Sequence, residues 1–317
     1  MKNFWNDLKK PIFCLAPMAD VTDCAFRKMI AHHGKPDIFW TEFVSADGLA
    51  HPEAREKLLI DLKYSETEHP IVAQIFGSNA DNIREASALC KKLGFDGIDI
   101  NMGCPDRLIE KQGSGAAMIK TPAKAREIIR AAKEGAGGLP VSVKTRIGYN
   151  KNEIDKWVSE LLSEDIAALT VHLRTRKEMS NVPAHWDLMK SVIEIRNKIN
   201  PKILILGNGD AESVADAKNK IEETGCDGVM LGRAIFGNPW LFAGRTPSLK
   251  EKLEVMIEHT KLFEELLGGL KNFAIMKKHY KAYVNGFDGA KELRMKLMEA
   301  ENASEVASIT NDFLAQI

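Results

Sequence analysis

Eight short, nearly continuous apolar runs separated by segments of helical periodicity set the tightest limit on what this 317-residue chain can fold into. They are Ile12 to Ala16, Ile38 to Phe43, Ile71 to Phe76, Gly97 to Ile100, Val141 to Lys144, Ala168 to His172, Ile203 to Leu206 and Gly228 to Leu231. A strand with one face in water alternates apolar and polar residues. These runs do not, so they read as strands buried on both faces, which means a parallel sheet covered by helices. Eight strand–helix units within about 240 residues match the ordinary size of a (β/α)8 barrel, whereas a doubly wound sheet uses fewer strands. The expected fold is α/β, a TIM barrel over residues 1–244.

The connecting segments carry their own punctuation. Thr121-Pro122 supplies an N-cap and a first-turn proline, with Gly135 as the expected stop. Asn79 and Gly94 bracket a second helix, with Ile83, Ala86, Cys90 and Leu93 on one face, and a third follows Asp210 and closes at Gly225. Beyond the break at 244–248 every segment reads helical: 249–267, 271–285, 288–299 and 303–316. Pieces this short need one another to be stable, so residues 245–317 are expected to form a small all-helical C-terminal domain.

The 44 basic and 44 acidic residues cancel, so a nucleic-acid partner would have to be met by a local patch. Five scattered cysteines with no C-x-x-C pair argue against a disulfide framework or a zinc site. The histidines show no metal-binding spacing, and no metal is expected. Pro11 and Pro17 interrupt the apolar stretch at Ile12 to Met18, which reads as a strand rather than a leader. No run approaches the roughly 20 apolar residues of a membrane span. A soluble, cytoplasmic, monomeric protein is expected, with no membrane or protein partner implied.

In a barrel of this kind the active site forms where the strands end, and the residues there are unusually polar. In order they are Ala16-Pro17-Met18, Glu42, Gln74, Asn101, Lys144, His172, Asn208-Gly209-Asp210 and Gly232-Arg233. The seventh and eighth ends, with small glycines and Arg233, suit a phosphate. No GxGxxG follows the first strand and no P-loop is present, which disfavours a dinucleotide of the Rossmann kind. Lys144 and Gln74 lie across the barrel from the phosphate position, suited to the far end of an elongated planar cofactor such as a flavin. A lysine there would stabilise negative charge on the reduced ring, the alternative being a salt bridge at the rim. Cys104, in Asn101-Met102-Gly103-Cys104-Pro105, is the one cysteine on a loop at this face; it could be a nucleophile or a proton donor. The Gly113-Ser114-Gly115-Ala116-Ala117 stretch beyond it reads as a mobile loop or a weak phosphate motif.

Taken together, these blocks resemble the tRNA-dihydrouridine synthases, in their bacterial two-domain form, along essentially the whole chain. The resemblance rests on Ala16-Pro17-Met18-Ala19 with Val21-Thr22-Asp23 and Phe26-Arg27, on Asn101 to Pro105, and on Lys144-Thr145-Arg146-Ile147-Gly148. Asn208-Gly209-Asp210, Gly232-Arg233-Ala234 and Gly237-Asn238-Pro239-Trp240 complete it. It implies an FMN enzyme that uses NADPH to reduce the C5–C6 double bond of uridines in tRNA, with Cys104 giving the proton to C5. It also implies that Pro17, Met18, Ala19, Gln74, Lys144, His172, Asn208, Gly209, Asp210, Gly232 and Arg233 hold FMN, and that Asn101 and Arg146 hold the target uracil. The chain departs from the family at Leu173, where many members have glycine.

Residues 247–317 carry ten basic and eleven acidic side chains, but Lys271 to Lys296 holds seven basic residues against Asp288 and Glu292. That stretch reads as a phosphate-binding stripe. Lys277, Lys278 and Lys281 lie on one helical segment, Lys277-Lys278-His279 resembles a basic family motif, and Arg174, Arg176 and Lys177 are expected to extend the stripe across the barrel mouth. A solvated lysine face is the bland alternative. Two rivals to the tRNA reductase remain: an FMN barrel acting on a free pyrimidine, and an RNA-binding barrel without chemistry.

Overall fold

The computed structural model describes residues 3–316. Nine strand segments run parallel: β1 (Ile12–Leu15), β2 (Phe39–Trp40), β3 (Val44–Ser45), β4 (Ile71–Phe76), β5 (Gly97–Met102), β6 (Val141–Arg146), β7 (Ala168–His172), β8 (Leu204–Asn208) and β9 (Gly228–Leu231). β2 and β3 both pair with β4 and together make one stave, so eight staves surround the barrel. β1 pairs with β9, and a parallel bridge from Cys14 to Ile38 closes the cylinder.

The expected second strand, Ile38 to Phe43, is thus broken. Glu42 sits at the break, buried, with its carboxylate bonded to Lys271 Nζ at 2.7 Å. Three other strands run up to two residues longer at their C-terminal ends than the apolar runs indicate, and so take Asn101, Arg146 and Asn208 into the sheet.

Register explains where the site lies. Gln74 faces Asp99, Asp99 faces Ser142, Asn101 faces Lys144, Lys144 faces Thr170, and His172 faces Asn208. Neighbours in register point the same way, so these polar residues form inward layers. Below them Ile12, Cys14, Ile38, Trp40, Val72, Ala168, Leu206 and Met230 pack as an apolar plug, with Trp5 against Trp40. The barrel interior is therefore oily at its N-terminal end and polar at its C-terminal end. A second, larger apolar cluster fills the space between strands and helices.

The helices largely follow their punctuation. Asn79 accepts from the Asp81 and Asn82 amides at the start of Ala80–Lys92, although Leu93 proves exposed. The helix after Thr121 runs Pro122–Ala136 and ends at Gly137, not Gly135. Gly135 serves a different need, since a Cβ there would lie 2.0 Å from the Arg84 carbonyl oxygen on the neighbouring helix. The helix after Asp210 runs Val214–Thr224, capped by Ser213 and closed at Gly225 as expected. The C-terminal helices are Leu249–Leu267, Ile275–Tyr283, Ala290–Glu299 and Ala303–Leu314. They dock on the barrel through Phe26, whose ring lies 5.1 Å from those of both His259 and His279. No helix among the described residues is long and apolar enough to cross a membrane.

Candidate active site

At the C-terminal mouth lies a cavity of about 300 Å³, at the small end of the range for small-molecule sites. Its walls include Pro17, Met18, Lys144, Arg146, His172, Asn208, Gly209, Asp210, Gly232 and Arg233. Nine of the eleven residues expected to hold the cofactor therefore meet at one place. Arg174, Ser180, Ala211 and Met230 also line it, of which Ser180 lies on a loop with no apolar pattern to flag it. A larger cavity, about 620 Å³, lies at the opposite end, among Trp5, Lys10, Pro140, Asp165 and Asn200, where the strands begin. Barrel chemistry is carried at strand C-termini, so the smaller cavity is the candidate.

Four cations, Lys144, Arg146, Arg174 and Arg233, face this cavity against one carboxylate, Asp210. Lys144 donates to Asn208 Oδ1 at 3.2 Å. Burial and the charge of Arg146 bring its pKa down to about 8, so it holds its proton at neutral pH with little to spare. Arg146 is brought down to about 10, chiefly by burial and by the neighbouring Arg174 and Arg176, and stays charged. Arg233, largely exposed, donates to Asp210 at 2.6 Å. Asp210 is held below the usual carboxylate range: burial pushes it up, but bonds from Arg174 and the Ala184 amide, with the charge of Arg233, outweigh that push. Such a donor set suits an anionic ligand.

His172 is kept neutral by burial and by Arg146, Lys144, Arg174 and Arg233 around it. Its Nε2 lies 3.1 Å from a guanidinium nitrogen of Arg174, which can only donate. The ring proton therefore sits on Nδ1.

Cys104 stands on a braced loop. Its amide and that of Gly103 donate to Asn101 Oδ1 at 2.9 and 3.1 Å. Its carbonyl accepts from Ala116 at 2.9 Å, and a Cβ on Gly115 would lie 2.6 Å from that same oxygen. The stretch after Cys104 is thus not a mobile loop: Gly115 to Ile119 are buried and form a short 3-10 turn under the cysteine. Burial, together with Asp106, holds the thiol above its ordinary pKa, against the pull of the Asp106 backbone, Arg146 and Lys144. At neutral pH it is a thiol. Arg146 joins loop to cavity, since its Nε donates to the Gly103 carbonyl at 2.8 Å while its side chain lines the cavity wall.

Other expected residues lie off the cavity wall or are engaged within the chain. Gln74 does not line the cavity; it is fully buried, with Nε2 on Asp99 at 2.7 Å and Oε1 accepting from Asn101 at 3.0 Å. Ala19 is exposed and lies outside the cavity wall. Asn101 donates to Gln74 and accepts from the amides of the Cys104 loop. Arg174 is buried and engaged by Val182, His172 and Asp210, so it cannot extend a surface stripe. Arg176 is committed to Glu110 at the mouth. Lys271 leaves the stripe as well, held at 2.7 Å by both Glu42 and Asp61. Lys278 and Lys281 are exposed and Lys277 is partly so, whereas His279 is buried against Phe26, Phe236 and His259.

Leu173 points away from the cavity, fully buried in the shell between strands and helices. Among the described residues, one grouping could hold a cation: His32, His33 and Glu258, whose ligand atoms lie within 4.8 Å of one another. It sits at the contact between the helix Cys24–His33 and Leu249–Leu267, apart from the cavity, and His33 is already bonded to Glu258 at 2.7 Å.

A family model described as dihydrouridine synthase matches residues 14–317. A Staphylococcus aureus protein named "Probable tRNA-dihydrouridine synthase" is 42% identical over 320 residues, covering 100% of this chain and 97% of its own. A Bacillus subtilis protein named "Probable tRNA-dihydrouridine synthase 2" is also 42% identical, over 98% of this chain and 97% of its own. Among solved structures, an old yellow enzyme homologue from Zymomonas mobilis superposes with a TM-score of 0.51 at 13% identity, over 72% of this chain and 86% of that one. Morphinone reductase, in complex with tetrahydroNAD, gives 0.51 at 13% identity over 76% and 89%. At that identity the likeness is one of fold.

Proposed function

Because the chain belongs to the dihydrouridine synthase family, we propose that it reduces uridines in tRNA to 5,6-dihydrouridine, with FMN as cofactor and NADPH as reductant. The donor set fits FMN: Arg233 and the glycine-bearing ends of β8 and β9 for a phosphate, and Lys144 for the anionic edge of a reduced ring. When bound and reduced, FMN supplies the hydride that adds to C6 of uracil. Cys104 delivers the proton to C5 from its neutral thiol, and the thiolate left behind recovers a proton from solvent. Arg146 orients that thiol by gripping the Gly103 carbonyl. Asn101 acts by shaping the loop rather than by contact with the base. The barrel, residues 1–244, carries the chemistry, and residues 245–317 offer Lys277, Lys278 and Lys281 to the tRNA backbone, with no membrane involved.

The observation that carries this reading is the Arg146 link, which makes the cationic cavity and the neutral Cys104 thiol parts of one rigid site. The test is to supply purified protein, FMN and NADPH with tRNA from a strain lacking the gene, and in parallel with free uridine or UMP. Dihydrouridine in the tRNA alone is expected. Reduction of the free pyrimidine at comparable efficiency would instead favour a small-molecule reductase, and a protein that takes up no FMN would favour RNA binding without chemistry.

A further inference from the structure

In the middle of β5 sits a carboxylate that the proposed chemistry does not use. Asp99 has no exposed surface, and it faces into the barrel between β4 and β6. Its Oδ1 accepts from Ser142 Oγ at 2.6 Å and its Oδ2 from Gln74 Nε2 at 2.7 Å. An ionised carboxylate only accepts, so Gln74 must turn its NH2 toward Asp99 and its oxygen away. That oxygen meets Asn101 Nδ2 at 3.0 Å, which leaves Asn101 Oδ1 facing the Cys104 loop. There it accepts from the amides of Gly103 and Cys104, which only donate. Each link has one permitted direction, because reversing either amide sets donor against donor at one end and acceptor against acceptor at the other.

We propose that Asp99 is a positioning residue for Cys104: it anchors a one-way amide relay through Gln74 and Asn101 that holds the Cys104 loop in place. The inference builds on the reading of Cys104 as proton donor, but it concerns geometry within this chain and is tested without tRNA. A fully buried carboxylate in β5 has a cost that packing alone does not explain. The relay supplies the reason, since only an acceptor in that position orients both amides.

The experiment measures the rate at which iodoacetamide modifies Cys104 in the full-length protein as purified, with the modified site identified by mass spectrometry. The other four cysteines are buried, so Cys104 dominates the native reaction. Asp99→Ala is expected to speed alkylation at least fivefold by releasing the loop. Asp99→Asn should stay within twofold of wild type, because its carbonyl still accepts from Gln74 while its NH2 donates to Ser142. Should Asp99→Ala fail to fold, Gln74→Leu cuts the same relay one link on, with the same expected gain. Combining Asp99→Ala with Asn101→Ala should add nothing to Asn101→Ala alone, an outcome that general loosening of the barrel would not give. Wild-type rates in both Asp99→Ala and Gln74→Leu, full multiplicativity in the double variant, or an Asp99→Asn protein as fast as Asp99→Ala would each overturn the proposal. Failure of the wild-type protein to make dihydrouridine would sink the proposed function and leave this result standing.

Discussion

Lys271 provides the sharpest separation between a basic residue that holds the fold and one proposed to meet RNA. Its ammonium lies 2.7 Å from both Glu42 and Asp61, and the Glu42 side chain is only 5% exposed. Replacing Lys271 by Met leaves Glu42 a buried carboxylate with no cation. Loss of one partner from a buried pair costs about 3–5 kcal/mol, and the partial exposure of Asp61 places this case near the lower end, about 3 kcal/mol. For a chain of 317 residues, an unfolding entropy of about 2.1 cal/mol/K per residue converts that loss to a fall of roughly 5 °C in melting temperature. Exchanging Glu42 for Met in the same protein should restore most of it, because the pair is then replaced by apolar groups. The pH dependence has a definite sign. Burial raises the Glu42 pKa despite Lys271, and without the lysine it rises further. The folded state then binds more protons than the unfolded state above the ordinary carboxylate value. The stability gap between wild type and Lys271→Met should therefore narrow as pH falls toward 5 and widen as it rises through neutrality. Thermal melts read by circular dichroism at several pH values measure both effects. A Lys271→Met protein that melts within 1 °C of wild type at pH 7.5, or that weakens further in acid, would refute the reasoning.

Other expectations follow from the same geometry. Lys278→Glu with Lys281→Glu should weaken tRNA binding and lower the slope of log K against log salt by about one or more, while NADPH oxidation without tRNA stays at the wild-type rate; Lys271→Met should leave that slope alone. Because the Lys144 pKa is brought down to about 8, its charge is lost as pH rises through that value, so FMN affinity, read by fluorescence quenching, should decline between pH 7 and 9.5. Lys144→Met should bind FMN more weakly with a flat profile, and a sloping profile in that variant would assign the titration elsewhere. Leu173→Ala should cost about 2–5 kcal/mol in stability through the cavity it leaves, yet leave FMN affinity within about twofold. A large change in FMN affinity without a change in melting would show that Leu173 reaches the site after all.

Much of this was legible in the sequence because strand burial imposes a simple pattern. Continuous apolar runs marked the staves, and the residues at the ends of five of them, with Pro17 and Met18, Lys144, His172, Asn208 to Asp210, and Gly232 and Arg233, line the cavity, whereas Glu42, Gln74 and Asn101 do not. What could not be read depends on partners remote in the chain. Glu42 breaks its strand while paired with a lysine 229 residues away, and no local pattern encodes that. Arg174, Arg176 and Lys177 look alike in sequence, yet Arg174 is buried against Asp210, Arg176 bonds Glu110, and Lys177 is exposed. Asp99 and Ser142 lie inside apolar runs, where a period-two count of inward positions could have found them. The expected stop at Gly135 failed because a glycine that ends a helix and one that lets two helices touch are the same letter.

The most direct test of the central claim is to map dihydrouridine in tRNA from a strain lacking the gene, restored with either wild-type protein or Cys104→Ala. With Cys104 as the proton donor beside the cofactor cavity, the wild type should restore the modified positions. The Cys104→Ala protein should leave most of them as uridine, though once purified it still binds FMN and oxidises NADPH. Full modification by the Cys104→Ala protein would contradict the account.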